Sequence, residues 1–216
     1  MVVFITGLEK EFDRALAAVF AEKGYKVYAI GSDSPNGVTL LPSDVTEAAA
    51  IIEKETGLVD IYIDVSNERS SYDTFTVRSG LNAEVIRELH EKNVVRPMAK
   101  FEIFLPLLEK GEGRRLCFLS SAKASINETY AADEYGYRMA KVSLHNFIQI
   151  TRNVLAPKGY SFRVFDPLYQ DVSPELAAQA ALNYFTRRRA TERNDDLRDD
   201  EGNIVLRDAN GRHHSW

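Results

Sequence analysis

Tyr137 and Lys141 stand four residues apart in the stretch Tyr135-Gly-Tyr-Arg-Met-Ala-Lys141. On a helix that spacing stacks both side chains on one face. A free phenol titrates near ~10, too high for proton exchange at neutral pH. A nearby ammonium stabilises the phenolate and lowers that value, so the pair reads as a proton donor and acceptor. No other tyrosine of the chain has a lysine four residues downstream, although a tyrosine and a lysine on a solvated helix face would show the same spacing. Two further groups could do chemistry. Leu119-Ser120-Ser121-Ala122 closes an apolar run, where serines cap a turn or offer hydroxyls to a ligand. Thr6-Gly7 closes another apolar run just before Glu11-Phe12-Asp13. A turn of that kind, leading into a helix N-terminus, is where a phosphate sits.

These residues need a scaffold, and the periodicity supplies one. Short apolar runs over 2–6, 26–30, 38–41, 59–65, 115–119 and 161–165 predict strands, with a last short strand at 203–206. Helical spacing or stop signals predict helices over 12–23, 47–55, 83–108 (interrupted or kinked near Pro97), 137–155 and 174–187. Alternating strands and helices with continuous apolar strands predict an α/β fold: a three-layer, doubly wound, parallel Rossmann-like sheet of about seven strands. A chain of 216 residues is expected to form one such domain over 1–216, with a charged loop at 188–202 and a terminal strand and tail at 203–216. His213 and His214 read as exposed and idle, and Trp216 as a potential subunit contact.

The order of elements and motifs resembles the short-chain dehydrogenase/reductase family. Of the family's Thr-Gly-x-x-x-Gly-x-Gly turn, Thr6 and Gly7 match, and Phe12 lies between the positions of the later glycines, which are Glu11 and Asp13 here. The resemblance makes Thr6, Gly7 and Phe12 cofactor contacts, while the two acids would obstruct and repel a diphosphate. Asp44-Val45 matches the family's Asp-Val at the adenine, although Asp44 reads equally well as a helix N-cap. The family's Asn-Asn-Ala-Gly survives only in placement, as Asp64-Val-Ser-Asn67, with Ser66 at the cofactor. Pro167 matches the Pro-Gly near the nicotinamide, and Leu168 replaces its glycine. The resemblance also implies a catalytic tetrad: Asn93 sustaining a proton-relay water, Ser121 (with Ser125 as fallback) bonding the substrate oxygen, Tyr137 as acid–base, and Lys141 lowering the tyrosine pKa and holding the ribose.

The function implied is NAD(P)-dependent reduction of a carbonyl or oxidation of a secondary alcohol on a small molecule. Two alternatives remain: a non-catalytic scaffold of the same fold, and a redox-neutral use of the acid–base pair. Gly31-Ser32 at the end of the second strand lacks the acid that favours NAD, a lean toward NADP in which Ser32 touches the 2′-phosphate. A homodimer or homotetramer is expected from the resemblance alone. The helix usual between strands two and three is reduced to a loop around Ser34-Pro-Asn-Gly37. The segment between Pro167 and Pro174, which in the family grows into a lid, is very short, which suggests an open site, a bulky substrate or no catalysis. A net charge of −5 argues against nucleic acid as a partner. The single Cys117 and the absence of zinc spacing argue against disulfides and metal. The short apolar start, 1–5, fits neither a signal peptide nor a membrane span, so a cytoplasmic protein without membrane contact is expected.

Overall fold

The computed structural model describes residues 1–128, 130–168, 171–187 and 205–214. The interior strands are mostly apolar on both faces because both faces are covered, with Arg115 in β5 and Arg163 in β6 as buried charged exceptions. Along β1 (Val2–Ile5), Val2 and Phe4 join one core layer and Val3 and Ile5 the other. The same alternation runs through β2 (Lys26–Ile30), β4 (Ile61–Asp64), β5 (Arg115–Leu119) and β6 (Ser161–Asp166). The first layer packs under α2 (Val45–Glu55), α4 (Arg96–Lys110) and α5 (Tyr135–Leu155). The second packs under α1 (Glu11–Glu22) and α6 (Pro174–Thr186). Cys117 is buried in that second layer as a small hydrophobe.

The described strands form one eight-stranded sheet in the order β3-β2-β1-β4-β5-β6-β7-β8, with β3 at Val38–Leu41. All pairs are parallel except β7 (Leu206–Asp208) with β8 (His213–His214), which are antiparallel. The parallel doubly wound sheet is therefore as expected, with one antiparallel strand more than the seven read from sequence. The chain winds outward from β1 to β3, then returns to place β4 on the other side of β1. That reversal opens a crevice at the carboxyl ends of β1 and β4, the usual ligand position in such a sheet.

Two local features of these elements have physical causes. The long helix over 83–108 is interrupted near Pro97, as expected: α3 (Ala83–His90) passes through a π-turn (Glu91–Val95) into α4. Pro97 lacks an N–H and its ring crowds the carbonyl of residue 93, so the hydrogen-bond register slips there. Asn93 lies inside this turn, completely buried. At the bottom of the sheet, Asp60 ties two strand starts together: its carboxylate accepts Val2 N–H at 2.8 Å and the amides of Glu112 and Gly113 at 3.0 and 3.1 Å. The turn before β5 needs its glycines, since a Cβ on Gly111 would run into the Val59 carbonyl and one on Gly113 into that of Asp60.

Of the expected terminal strand over 203–206, Leu206 opens β7 (Leu206–Asp208), which is followed by the expected turn and by β8. The charged loop 188–202, the start of the expected strand at 203–204 and Trp216 lie outside the described residues. His214 is not idle. It is 5% exposed, with Nδ1 2.9 Å from Glu128 Oε2 and Nε2 3.0 Å from Asp208 Oδ2. Burial alone would lower its pKa; the two carboxylates outweigh burial and hold it above the usual histidine value. A raised folded-state pKa contributes stability fully present below the unfolded value near ~6.5 and lost as pH rises through the folded value. Urea denaturation of the wild type should therefore show stability falling as pH rises through that window, and His214→Ala should remove that slope.

Candidate active site

The β1–α1 turn forms one wall of the crevice. Thr6 is held by its own hydroxyl, which donates to Asp64 Oδ2 at 3.3 Å and accepts the Val65 N–H at 3.1 Å. Gly7 faces Val65 so closely that a Cβ would touch it at 3.4 Å. A cleft of about 290 Å³ opens here, with Thr6, Gly7, Glu9 and Asp13 on one side and Val65, Ser66 and Glu68 on the other. Lys92, Arg96 and Lys100, spaced one helical turn apart, close its third side.

The two acids at the glycine positions are not equivalent. Glu11 points to solvent, and only Asp13 lines the cleft. The expected obstruction thus rests on Asp13 and not on Glu11. Asp13 Oδ2 accepts the Lys10 N–H at 3.0 Å, capping α1, while its buried Oδ1 has no hydrogen-bond partner. Burial pushes the Asp13 carboxyl up to about 7, against the lowering effect of the Lys10 backbone bond. Lys10 Nζ spans the cleft to Asn67 O at 2.7 Å and Glu68 Oε1 at 2.9 Å.

The four expected catalytic residues converge, but they do so under cover. After β4 the chain runs as a strap over the carboxyl ends of the sheet, and three consecutive strap residues each engage one of them. Ser66 O accepts Lys141 Nζ at 2.7 Å. Asn67 Oδ1 accepts the Tyr137 hydroxyl at 2.6 Å. The Glu68 backbone takes both ends of the Asn93 amide, at 2.9 Å each. Further along, Asp73 caps α5 by accepting the Gly136 and Tyr137 amides at 3.0 and 2.8 Å. Phe75 stacks on Tyr135 and packs with Val85, Leu89 and Tyr137. Tyr137 is 1% exposed. The open site expected from the short 167–174 segment is therefore not found, because the β4–α3 strap covers the tyrosine instead.

This arrangement corrects the expected electrostatics. Burial pushes the Tyr137 hydroxyl up to about 12, with the Arg69 guanidinium and then Ser121 acting in the lowering direction. Lys141 is completely buried, which brings its own pKa down to about 7 against the opposing pull of Asp64. Its Nζ bonds Ser66 O and, at 3.2 Å, Leu119 O, and stands 5.9 Å from the Tyr137 ring centre. Its ammonium is spent on backbone carbonyls. Asn93, expected to sustain a water relay, is committed to the Glu68 backbone and to Leu89 O at 2.9 Å.

The strand-end serines separate cleanly. Ser120 Oγ lies 2.6 Å from His145 Nε2 in the core, and burial drives His145 down to about 3, so that imidazole is neutral. Ser121 Oγ accepts the Lys123 N–H at 3.3 Å on the tyrosine side. Ser125 Oγ accepts the Glu128 N–H at 3.2 Å in the following turn. Asp166, at the end of β6, accepts the Ala122 N–H at 2.7 Å and the Leu168 N–H at 2.9 Å, aligning the Ser121 and Pro167 turns. Pro167 is buried, and Leu168 keeps the left-handed backbone (φ 50°) that the family's glycine would adopt freely.

The remaining expected cofactor contacts are more dispersed. Phe12 is 1% exposed and stacks on Phe165 at 6.4 Å, so its side chain serves the core and not the cleft. Asp44 is exposed and caps α2 by accepting the Glu47 N–H at 2.8 Å, with Val45 opening that helix. Ser32 is exposed beyond β2. Asn67, Arg69, Asp73 and Asp166 were not legible as site residues. Only the position of Asn67 in the motif after β4 pointed toward it. Among the described residues no acidic, histidine or cysteine cluster could hold a metal, and no helix is long and apolar enough to cross a membrane.

No family model matches the chain. It is 30% identical over 133 residues to a short-chain dehydrogenase/reductase of Pestalotiopsis microspora, covering 58% of this chain and 49% of that protein. It is 25% identical over 182 residues to retinol dehydrogenase 5 of Mus musculus, covering 76% and 55%. The chain thus spans about half the length of the curated relatives it matches. Its fold matches the carbonyl reductase Sniffer of D. melanogaster with a TM-score of 0.80 at 14% identity, covering 100% and 99% of the two chains. An NADPH-bound carbonyl reductase from chicken fatty liver matches with a TM-score of 0.78 at 14% identity, covering 100% and 98%. The paired Tyr137 and Lys141 after β5 and the Thr6-Gly7 turn at the switch point stand where these likenesses would place them: the chain is similar in sequence to short-chain dehydrogenase/reductases and shares the fold of the carbonyl reductases.

Proposed function

We propose that the protein is an NAD(P)-dependent oxidoreductase that reduces a carbonyl or oxidises a secondary alcohol on a small molecule. The observation that carries this reading is the convergence of Asn93, Ser121, Tyr137 and Lys141 beside a cleft at the sheet's switch point. The residues around that cleft fit a dinucleotide at its adenosine end. Thr6 and Gly7 bring backbone to the cleft wall, and Lys92, Arg96 and Lys100 offer positive charge across from them. Asp13, with its pKa near 7, is about half neutral at physiological pH and opposes a diphosphate less than its residue type implies. The nicotinamide end requires the strap to lift, since Ser66 O holds Lys141 and Asn67 holds Tyr137.

When bound, the cofactor supplies hydride chemistry. The rest falls to the chain. Tyr137 would move the proton at its hydroxyl to or from the substrate oxygen, and Ser121 would hold that oxygen. Lys141, released from Ser66 O, would meet the ribose, and Asn93 would keep the strap in register through Glu68. Ser32 supports a lean toward NADP, and relatives with bound NADP or NADPH support the cofactor class. A homodimer or homotetramer through α4 and α5 belongs to the same reading, supported by exposed Met98, Ile103, Met139, Ile150 and Val154 on those helices.

A second reading is favoured by one observation: in this structure the tyrosine hydroxyl is bonded to the protein itself. A non-catalytic scaffold would keep it so. Titration calorimetry with NADH and NADPH separates the two. Binding of either at millimolar concentration or below is expected, and no binding of either removes the oxidoreductase reading.

A further inference from the structure

The strap that covers Tyr137 is tied to the cleft wall by a lysine. Lys10 belongs to the β1–α1 turn, and its Nζ donates to two adjoining strap groups, Asn67 O at 2.7 Å and Glu68 Oε1 at 2.9 Å. Those same two residues hold the covered site. Asn67 Oδ1 accepts the Tyr137 hydroxyl, and the Glu68 backbone holds the Asn93 amide. Ser66, one residue earlier, holds Lys141. A run of three residues therefore connects Lys10 to the tetrad. The tie itself is different in kind from those buried bonds. The Lys10 and Glu68 side chains are 31% and 46% exposed, and an ion pair in that setting holds weakly. Glu68 lines the cleft with Thr6 and Gly7, where a ligand phosphate would lie against the turn. The cations of the opposite wall have partners of their own: Lys92 pairs with Glu88, Arg96 with Glu91, and Lys100 donates to Thr6 O at 3.4 Å. Among the described residues Lys10 is thus the cation that joins turn and strap, and the Glu68 carboxylate stands where an anionic ligand would meet it.

We propose that the Lys10–Glu68 bridge is the latch of the strap, and that a phosphate group entering the cleft uncovers Tyr137 by taking Lys10 from Glu68 and Asn67. This rests on the reading of the cleft as the adenosine end of a dinucleotide site. A phosphate oxygen accepts a charge-assisted bond from Lys10 as a carboxylate does, and the group brings more negative charge. Glu68, left beside that charge without its cation, is repelled from the cleft wall. Its backbone and that of Asn67 move with it. The Asn67–Tyr137 bond then breaks, and the hydroxyl is free to meet a substrate oxygen. Without a phosphate in the cleft, the strap stays closed and the tyrosine stays bonded to the protein.

The test follows the strap in the full chain with no nicotinamide present. The Glu68 amide, bonded to buried Asn93 Oδ1, reports strap opening by hydrogen exchange in NMR spectra. The Val2 amide, bonded to Asp60 at the bottom of the sheet, reports whether the fold is kept. Inorganic pyrophosphate and 2′,5′-ADP are the probes, with occupancy read by calorimetry. Saturation with either is expected to speed Glu68 exchange by about tenfold or more, as for loss of one charge-assisted bond, with Val2 unchanged. Lys10→Met should reach a similar rate with no probe present and respond to neither probe. Lys10→Arg keeps a cation on the turn and should stay within about threefold of the parent. A Glu68 rate unchanged with probe bound overturns the proposal, as does a Lys10→Met rate within about twofold of the parent. Failure of both probes to bind overturns it too, since no phosphate then reaches Lys10. NADPH bound with the strap still protected defeats the latch alone. Strap opening by pyrophosphate in a protein that binds neither NADH nor NADPH defeats the oxidoreductase reading alone, so the two failures are distinguishable.

Discussion

Tyr137→Phe is expected to lower kcat by roughly 10²–10⁴-fold, the range a positioned proton donor contributes, while changing the calorimetric affinity for NADH or NADPH by less than about threefold. The hydroxyl is the group on α5 that meets the strap, at Asn67, and its neighbours can hold or polarise an oxygen but cannot replace its proton. Ser121 is too weak an acid, Lys141 is committed to two carbonyls, and Asn93 is an amide tied to the backbone. The substitution has a second consequence that must be kept apart from the first. It leaves the buried Asn67 Oδ1 without the 2.6 Å bond it accepts, which costs about 1–3 kcal/mol. Assays well below the unfolding midpoint of the variant separate lost chemistry from lost fold. Turnover retained within tenfold of the parent would remove the acid–base role from Tyr137.

What makes this prediction subtle is the strap, and the strap is also where sequence reading stopped. Strand positions followed from a simple rule: a strand covered on both faces must be apolar throughout, and Val2–Ile5 or Leu116–Leu119 have little other use. Helices α1, α2 and α5 followed from period and from stop signals such as Gly24 and Gly57. The Tyr137–Lys141 pair was legible because both lie on one helix, where spacing dictates geometry; Asn93 and Ser121 were legible only through the family resemblance. The strap has no period. Residues 65–82 are placed by individual long-range bonds, such as Asn67 to Tyr137 and Asp73 to the start of α5, and no local pattern announces them. The short segment after Pro167 points to an open site only if cover must come from that side of the cleft. The sheet allows cover from either βα loop, and here it comes from the β4–α3 connection.

The same limitation applied to charge. Residue types alone made Glu11 and Asp13 equal obstacles to a phosphate and made Lys141 the natural partner of Tyr137. Burial decides otherwise in both cases. It turns Glu11 out to solvent and Asp13 in, and it removes much of the positive charge from Lys141 while Arg69, unremarkable in sequence, lies over the ring. A pair of spacing-matched residues can thus be in the expected place and still not have the expected electrostatics.

Asp13 therefore carries the second large effect. Its carboxyl is raised from 3.8 to about 7 by burial, so between those values the folded state holds a proton that the unfolded state releases. The sign follows: stability falls as pH rises from about 4 to about 7 and is level above, because only the folded state resists ionisation there. About three pKa units at 1.36 kcal/mol each make the cost on the order of 4 kcal/mol at and above neutrality. Asp13→Asn keeps the acceptor for the Lys10 N–H and removes the charge, so it should gain up to that amount at pH 8 and match the parent near pH 4, as read by urea denaturation at both values. The same change removes a carboxylate facing the phosphate position of the cleft. Affinity for NADPH in the parent should weaken as pH rises through about 7, and in Asp13→Asn it should be at least about tenfold tighter at pH 8 and free of that pH dependence, whereas Glu11→Gly, altering an exposed residue, should change it little. Equal affinities of parent and Asp13→Asn at pH 8 would mean that the cleft does not take the diphosphate against α1, and would direct attention to the Lys92, Arg96 and Lys100 wall as its only electrostatic support.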